Sequence, residues 1–400
     1  MHYAYSLDRK EANKQRPRSL RILQVVASMN LGGIETWLKQ ILHHIDRDRF
    51  QIDFLVHTSQ PGKHDDEIRA LGSQIISCPY LSQPWLYPFQ FLQILRKYGP
   101  YDIVHSHIHH FNGYILRLAH HAGIPVRIAH SHSDTSAKDT QASWYRRWYL
   151  DVMQMSIANH ATKGLATTTE AAAVLSGSFT NPPWQILNCG IDLTPFLDAV
   201  DPVAVRTELG IPVDTFVIGH IGRFVKVKNH SFILDIIAEV AKKEPKICLL
   251  LVGDGILRPE IEQKVAHLGL TDRVIFAGVR SDIPRLMRGA MDLLLFPSLY
   301  EGMGNVRLEA QAAGLPSIVS DVVPEAGDIV KPLVQRISLS QPASTWAEAI
   351  LATRKTEPGI TQAEALKLVE MSPFNILTSV KELEKIYIQE SASKLFLSVN

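Results

Sequence analysis

The chain has 400 residues, 46% of them hydrophobic and 20% charged, with a formal net charge of +1. These fractions fit a folded globular protein and exclude a disordered one, and near-neutrality gives no reason to expect nucleic acid as a partner. The length exceeds what one ordinary hydrophobic core serves, so two domains are expected.

Residues 1–19 are polar and charged with no apolar run, and read as a flexible leader rather than a secretory signal. No stretch reaches the roughly 18 consecutive apolar residues of a membrane span. Cys78, Cys189 and Cys248 lie far apart and follow no metal spacing, which favours a reducing compartment. A cytoplasmic protein is expected. The first 195 residues carry 19 Lys/Arg against 15 Asp/Glu, a mild +4 compatible with a place beside an anionic membrane surface.

From residue 21 short apolar runs alternate with amphipathic stretches. Residues 21–28 (RILQVVAS) read as a buried strand and 34–45 (IETWLKQILHHI) as the helix after it. Further strands are expected at 52–57, 74–78, 102–107, 127–130, 165–168 and 185–187. Near Asn188 the pattern breaks into NCGIDLTPF, and 193–212 read as a linker. Alternation then restarts with strands at 216–221 (FVIGHI), 247–252 (ICLLLV), 274–276, 292–296 (DLLLF) and 317–320, and helices such as 231–243 and 305–313. A last helix at 373–388 opens on Ser372-Pro373, a cap followed by proline. Strand–helix alternation of this kind specifies α/β folding: two Rossmann-like, doubly wound parallel-sheet domains facing a central cleft.

Three loops carry candidate chemistry. Gly32-Gly33 follows the first strand, where slim backbone and a helix start can receive a ligand; the residues alone equally allow a plain tight turn. Residues 222–229 (GRFVKVKN) place Arg223 and Lys228 at the strand-to-helix edge where open α/β sheets bind ligands, as cations for a diphosphate or as a solvated basic loop. Residues 297–314 (PSLYEGMGNVRLEAQAAG) set Glu301 and Glu309 seven residues apart, one in the loop and one in the helix. A carboxylate accepts from two neighbouring hydroxyls, so Glu309 suits a ribose and Glu301 a sugar. Gly302 and Gly304 leave backbone amides open at the helix start.

Eight of the 17 histidines lie between His105 and His132. Strand period points His105, His107 and His109 to one side, a pattern that also allows a metal-dependent hydrolase built on 105–110. No nearby cysteine or spaced carboxylate completes such a site, and no metal is expected.

The segment from Glu301 to Glu309 resembles the E-x7-E motif of retaining glycosyltransferases of family 4, which have the GT-B fold. Gly32-Gly33, Gly222-Arg223 with Lys228-Asn229, Asn188-Cys189-Gly190-Ile191-Asp192 and residues 374–387 resemble that family's glycine loop, phosphate loop, domain junction and closing helix. Cys189 splits the junction's usual Asn-Gly pair, and Met303-Gly304-Asn305 stands where Phe-Pro-Leu is commoner.

The resemblance implies an acceptor-binding domain over 20–195, a nucleotide-sugar domain over 196–372, and a helix and tail over 373–400 returning to the first. It implies Arg223, Lys228, Gly302, Met303, Gly304, Asn305 and Glu309 as donor-binding residues. His132, Arg223, Lys228 and Glu301 become the catalytic set, with Gly32, Gly33 and His130 lining the acceptor and phosphate side. His132 or His130 would sit beside the donor sugar. The partners implied are a UDP- or GDP-linked sugar and a saccharide or lipid-linked acceptor, with peripheral contact at the inner membrane face and no cofactor. A GT-B-like protein that binds without turnover, and a sugar-nucleotide epimerase, are the remaining alternatives.

Overall fold

The computed structural model describes residues 18–80, 83, 85–133 and 143–397. Its strands are β1 Leu20–Val26, β2 Phe50–Val56, β3 Ile75–Ser77, β4 Ile103–Ser106, β5 Val126–Ser131, β6 Lys163–Ala166, β7 Trp184–Ile186, β8 Phe216–Ile221, β9 Ile247–Val252, β10 Val274–Gly278, β11 Leu293–Phe296, β12 Ser317–Ser320 and β13 Val334–Ile337. They form two wholly parallel sheets, ordered β3-β2-β1-β4-β5-β6-β7 and β10-β9-β8-β11-β12-β13. Every residue of β9 and β11 is buried, as unbroken apolar runs require when helices cover both sheet faces. The two Rossmann-like units of the GT-B fold are therefore present.

Both sheets reverse strand order once, between β1 and β4 and between β8 and β11. Ligands of open α/β sheets bind outside the strands' carboxyl ends at such a reversal. The Gly32-Gly33 loop follows β1. The 222–229 and 297–304 loops follow the hydrogen-bonded neighbours β8 and β11, and are thereby side by side.

Residues 193–212, expected as a linker, are ordered in part. Helix Pro202–Glu208 is capped by Asp201, whose carboxylate accepts from Val203 N at 2.9 Å, and Phe196 is fully buried. β13 and the helices Ala343–Thr353 and Gln362–Glu370 were not read from the sequence. β13 is short and only half-buried, so it lacks the apolar run that marks the others.

The closing helix runs Ile376–Leu397 rather than 373–388, and Ser372-Pro373 does not open it. Phe374–Ile376 instead bridges back to the junction: Ile191 N donates to Phe374 O at 2.8 Å and Ile376 N to Ile191 O at 3.0 Å. Asn375 takes the capping role, its side chain accepting from Leu377 N at 2.9 Å. Gly190 lies so close that a Cβ there would sit 2.5 Å from the Asn375 carbonyl carbon. Ile376, Val380, Leu383, Ile386 and Tyr387 then enter the first unit's core beside Trp37 and Ile41, so the chain's end returns to its beginning.

Candidate active site

The two loops of the second unit are tied by their backbones and by charge. Leu299 N donates to Val227 O at 2.8 Å, and Asn229 Nδ2 to Pro297 O at 3.1 Å. Lys228 Nζ pairs with Glu301 Oε1 at 2.5 Å and lies 4.8 Å from the centre of the Phe296 ring. Both side chains are mostly buried, so the pair is screened far less than a surface one. Arg223 is exposed and forms no ion pair among the described residues.

Glu309 lies one helical turn and more beyond the loop, on the helix Asn305–Ala312. It is half-buried, no hydrogen bond or ion pair of the described residues reaches its carboxylate, and burial pushes its pKa up to about 7. A carboxylate held in that condition is desolvated without compensation.

Gly304 begins the helix in the left-handed region, at φ +69, which explains the glycine there. Met303, expected among the donor-binding residues, turns its side chain into the core, so only its backbone can face a ligand. What shapes this loop is Arg307, which the sequence reading passed over. Fully buried, it donates from Nε to Met303 O at 3.1 Å and from its terminal nitrogens to Pro324 O and the Asp328 carboxylate. Burial holds the Arg307 pKa down near 10 despite Asp328. No pattern of neighbours signals a role that depends on residues 17 to 21 positions away.

The two units meet at this loop. A Cβ on Gly302 would stand 2.3 Å from the His132 carbonyl oxygen, so the glycine allows the loop after β11 to touch the segment after β5.

The histidines at the carboxyl ends of β4 and β5, His105 and His130 within the strands and His107 and His132 just beyond them, are packed together and buried. His107 and His132 share a hydrogen bond of 2.8 Å, and His105 and His130 one of 3.1 Å. The chain continues from His107 to Gln24 Oε1 at 2.8 Å, from Gln24 Nε2 to the Tyr387 hydroxyl at 2.9 Å, and from Tyr387 to His105 at 2.9 Å. Tyr387 belongs to the closing helix, so the cluster fastens the chain's last element to the first sheet. Burial drives all four pKa values far down, His105 and His132 to about 3, so the rings are neutral at pH 7.

His132 has both ring nitrogens turned inward, its Nδ1 lying 3.7 Å from Cys189 Sγ. His109 departs from the strand period: it lies beyond β4 in a short 3-10 turn with φ +46, a strained position for a non-glycine residue. Among the described residues, ring nitrogens of His105, His107 and His130 lie within 4.8 Å of one another and are the group that could hold a metal. Of their six, only His130 Nε2 lacks a hydrogen-bond partner, so a metal would have to displace the chain just described.

Residues 31–194 match the family model described as Glycosyltransferase Family 4, and residues 215–355 that of Glycosyl transferases group 1. The chain is 37% identical over 354 residues to a putative glycosyltransferase, EpsF, of Bacillus subtilis, covering 87% of this chain and 90% of that one. It is 26% identical, over 76% of its length and 80% of the other, to the UDP-Gal:alpha-D-GlcNAc-diphosphoundecaprenol alpha-1,3-galactosyltransferase of Escherichia coli. Among solved structures it resembles Anabaena HepE in complex with UDP-glucose, with a TM-score of 0.75 and 21% identity over 92% of this chain and 100% of that one.

Proposed function

The chain belongs to glycosyltransferase family 4, and from that premise we propose that it moves a hexose from a UDP-linked donor to a lipid-diphosphate-linked saccharide, retaining the anomeric configuration. Transfer of a sugar from a nucleotide-diphosphate sugar to an acceptor is the family's chemistry and this enzyme's. The UDP donor and the lipid-linked acceptor follow the E. coli relative, and a place in building a surface polysaccharide or glycolipid follows the same likeness. On this reading residues 20–195 hold the acceptor and 196–372 the donor.

The observation that carries the reading is the Lys228–Glu301 pair at the second unit's strand-order reversal, in the same loop as Arg223, which forms no ion pair among the described residues. The donor diphosphate would lie against Arg223 and Lys228, releasing Glu301 to accept from the sugar's hydroxyls. Gly302, the Met303 backbone, Gly304 and Asn305 would line the sugar and phosphate, and Glu309 would take the ribose hydroxyls. His132 would meet a sugar hydroxyl by exchanging its weak Cys189 contact for it, with His130 behind. Gly32 and Gly33 would face the acceptor. No side chain need form a covalent intermediate: the leaving diphosphate takes the nucleophile's proton, and the protein supplies position and positive charge.

A panel of UDP- and GDP-linked hexoses tests this through thermal stabilisation and nucleotide release. Stabilisation by a UDP-hexose is expected, amounting to about 2.7 kcal/mol at a hundredfold excess over Kd. No response to any nucleotide sugar would sink the reading.

No helix of the described residues is long and apolar enough to cross a membrane. We place the enzyme on the inner membrane face through the helix Trp144–His160, where Trp144, Tyr145 and Trp148 are 81%, 64% and 66% exposed beside Arg146 and Arg147. Interfacial aromatics next to basic side chains suit an anionic bilayer. Co-sedimentation with phosphatidylglycerol vesicles should fall at least fivefold in a Trp144→Ala/Trp148→Ala variant, and equal retention of both proteins would refute the placement.

A further inference from the structure

Glu35 lies in the first turn of the helix Gly33–His44, directly after the glycine pair and at the carboxyl edge of the first sheet's strand-order reversal. Its carboxylate folds back over the preceding loop: a Cβ on Gly32 would stand 2.2 Å from Glu35 Oε2. Gly33, by contrast, has nothing within 4 Å of where its Cβ would be. The two glycines thus do different things. Gly32 makes room for the Glu35 carboxylate, and Gly33 leaves exposed space beside it.

The carboxylate is half-buried and forms no hydrogen bond or ion pair with another described residue. Burial raises its pKa, opposed first by a hydrogen bond from Glu35's own backbone N–H and then by the charge of Arg223, which belongs to the other unit. Glu35 therefore sits at the ligand edge of the first sheet, where the charge of the loop after β8 reaches it. A carboxylate cannot itself take a phosphate, since like charges repel. It can accept hydrogen bonds from hydroxyl groups, and two from one sugar.

We infer that Glu35 is an acceptor-binding residue, its carboxylate accepting hydrogen bonds from hydroxyls of the acceptor saccharide as these face the donor held by the opposite unit. The inference rests on the transfer reading above and adds the acceptor side of the same cleft. The acceptor class it names is a polyhydroxylated sugar presenting two adjacent hydroxyls, not an anionic group such as a carboxylate.

The test is Glu35→Gln, which keeps the shape and removes the charge, with Glu35→Asp beside it. UDP binding is measured by calorimetry. Transfer is measured from UDP-glucose or UDP-galactose to whichever of a short-chain N-acetylglucosaminyl- or N-acetylgalactosaminyl-diphospholipid stimulates UDP release by the native enzyme. Losing a hydrogen bond to a charged group should lower kcat/KM for the acceptor about tenfold or more, carried by acceptor KM, while the Kd for UDP does not weaken. Glu35→Asp should recover part of the loss. Native-like acceptor kinetics in Glu35→Gln would overturn the inference, as would a matching loss of UDP affinity, which would make Glu35 a prop for the fold or the donor site. Failure of the native enzyme to bind UDP, or to respond to either acceptor, would instead refute the transfer reading and this inference with it.

Discussion

Replacing Lys228 or Arg223 with alanine should lower kcat by about 10²-fold or more, measured with the enzyme's own donor at saturation. The charge that grows on a departing diphosphate is the largest electrostatic change of the reaction, and losing one group placed to meet it typically costs that much. The two residues should differ in everything else. Arg223 is exposed and in no ion pair among the described residues, so its removal leaves the fold untouched. Lys228 neutralises Glu301 at 2.5 Å, so Lys228→Ala also strands a mostly buried carboxylate. A Lys228→Met/Glu301→Gln double variant removes both charges and should regain stability but not turnover. Near-native turnover in both single variants would remove the diphosphate from this loop.

Glu309→Gln should be more stable than the native enzyme at pH 8 and nearly inactive. Burial raises the Glu309 pKa to about 7 from 4.5, so the folded state binds its proton more tightly than the unfolded state. Stability from this group is complete below about pH 4.5 and is lost as the pH rises toward 7, where folding must bear a desolvated charge. Glutamine avoids that cost, on the order of 3 kcal/mol above pH 7. The two melting temperatures should therefore converge near pH 4 and separate at pH 8.

Donor binding should show the opposite trend. The ionised carboxylate is the form that accepts from a ribose diol, so donor KM should fall as the pH rises through about 7, and only where Glu309 is present. A donor KM that stays flat between pH 6 and 8, or a Gln variant that melts no higher at pH 8, would show that Glu309 is neither strained nor used in this way. A residue that the fold holds at a cost, and that pairs with no other described residue, trades stability for function.

Much of this was legible in the order of residues. Unbroken apolar runs such as ICLLLV and DLLLF can be satisfied only by strands covered on both faces, and alternating them with amphipathic stretches leaves parallel, doubly wound sheets as the outcome. The spacing of Glu301 and Glu309, and the glycines between them, marked the candidate ligand loop because helix starts and slim backbone have local signatures. What sequence could not supply was contact between distant positions. The 22-residue closing helix begins three residues later than its Ser-Pro cue because residues 374–376 bond to Ile191, a partner far earlier in the chain. Tyr387 reaches Gln24 and His105, separated from it by 363 and 282 positions, and joins a run of histidines, given no partner by their spacing alone, into a hydrogen-bonded spine. Arg307 and Glu35 were likewise invisible, since one is defined by Asp328 and Pro324 and the other by Arg223 on the facing unit. Local chemistry writes itself into short stretches of sequence; burial, countercharge and tautomer are properties of the packed neighbourhood, and only folding assembles it.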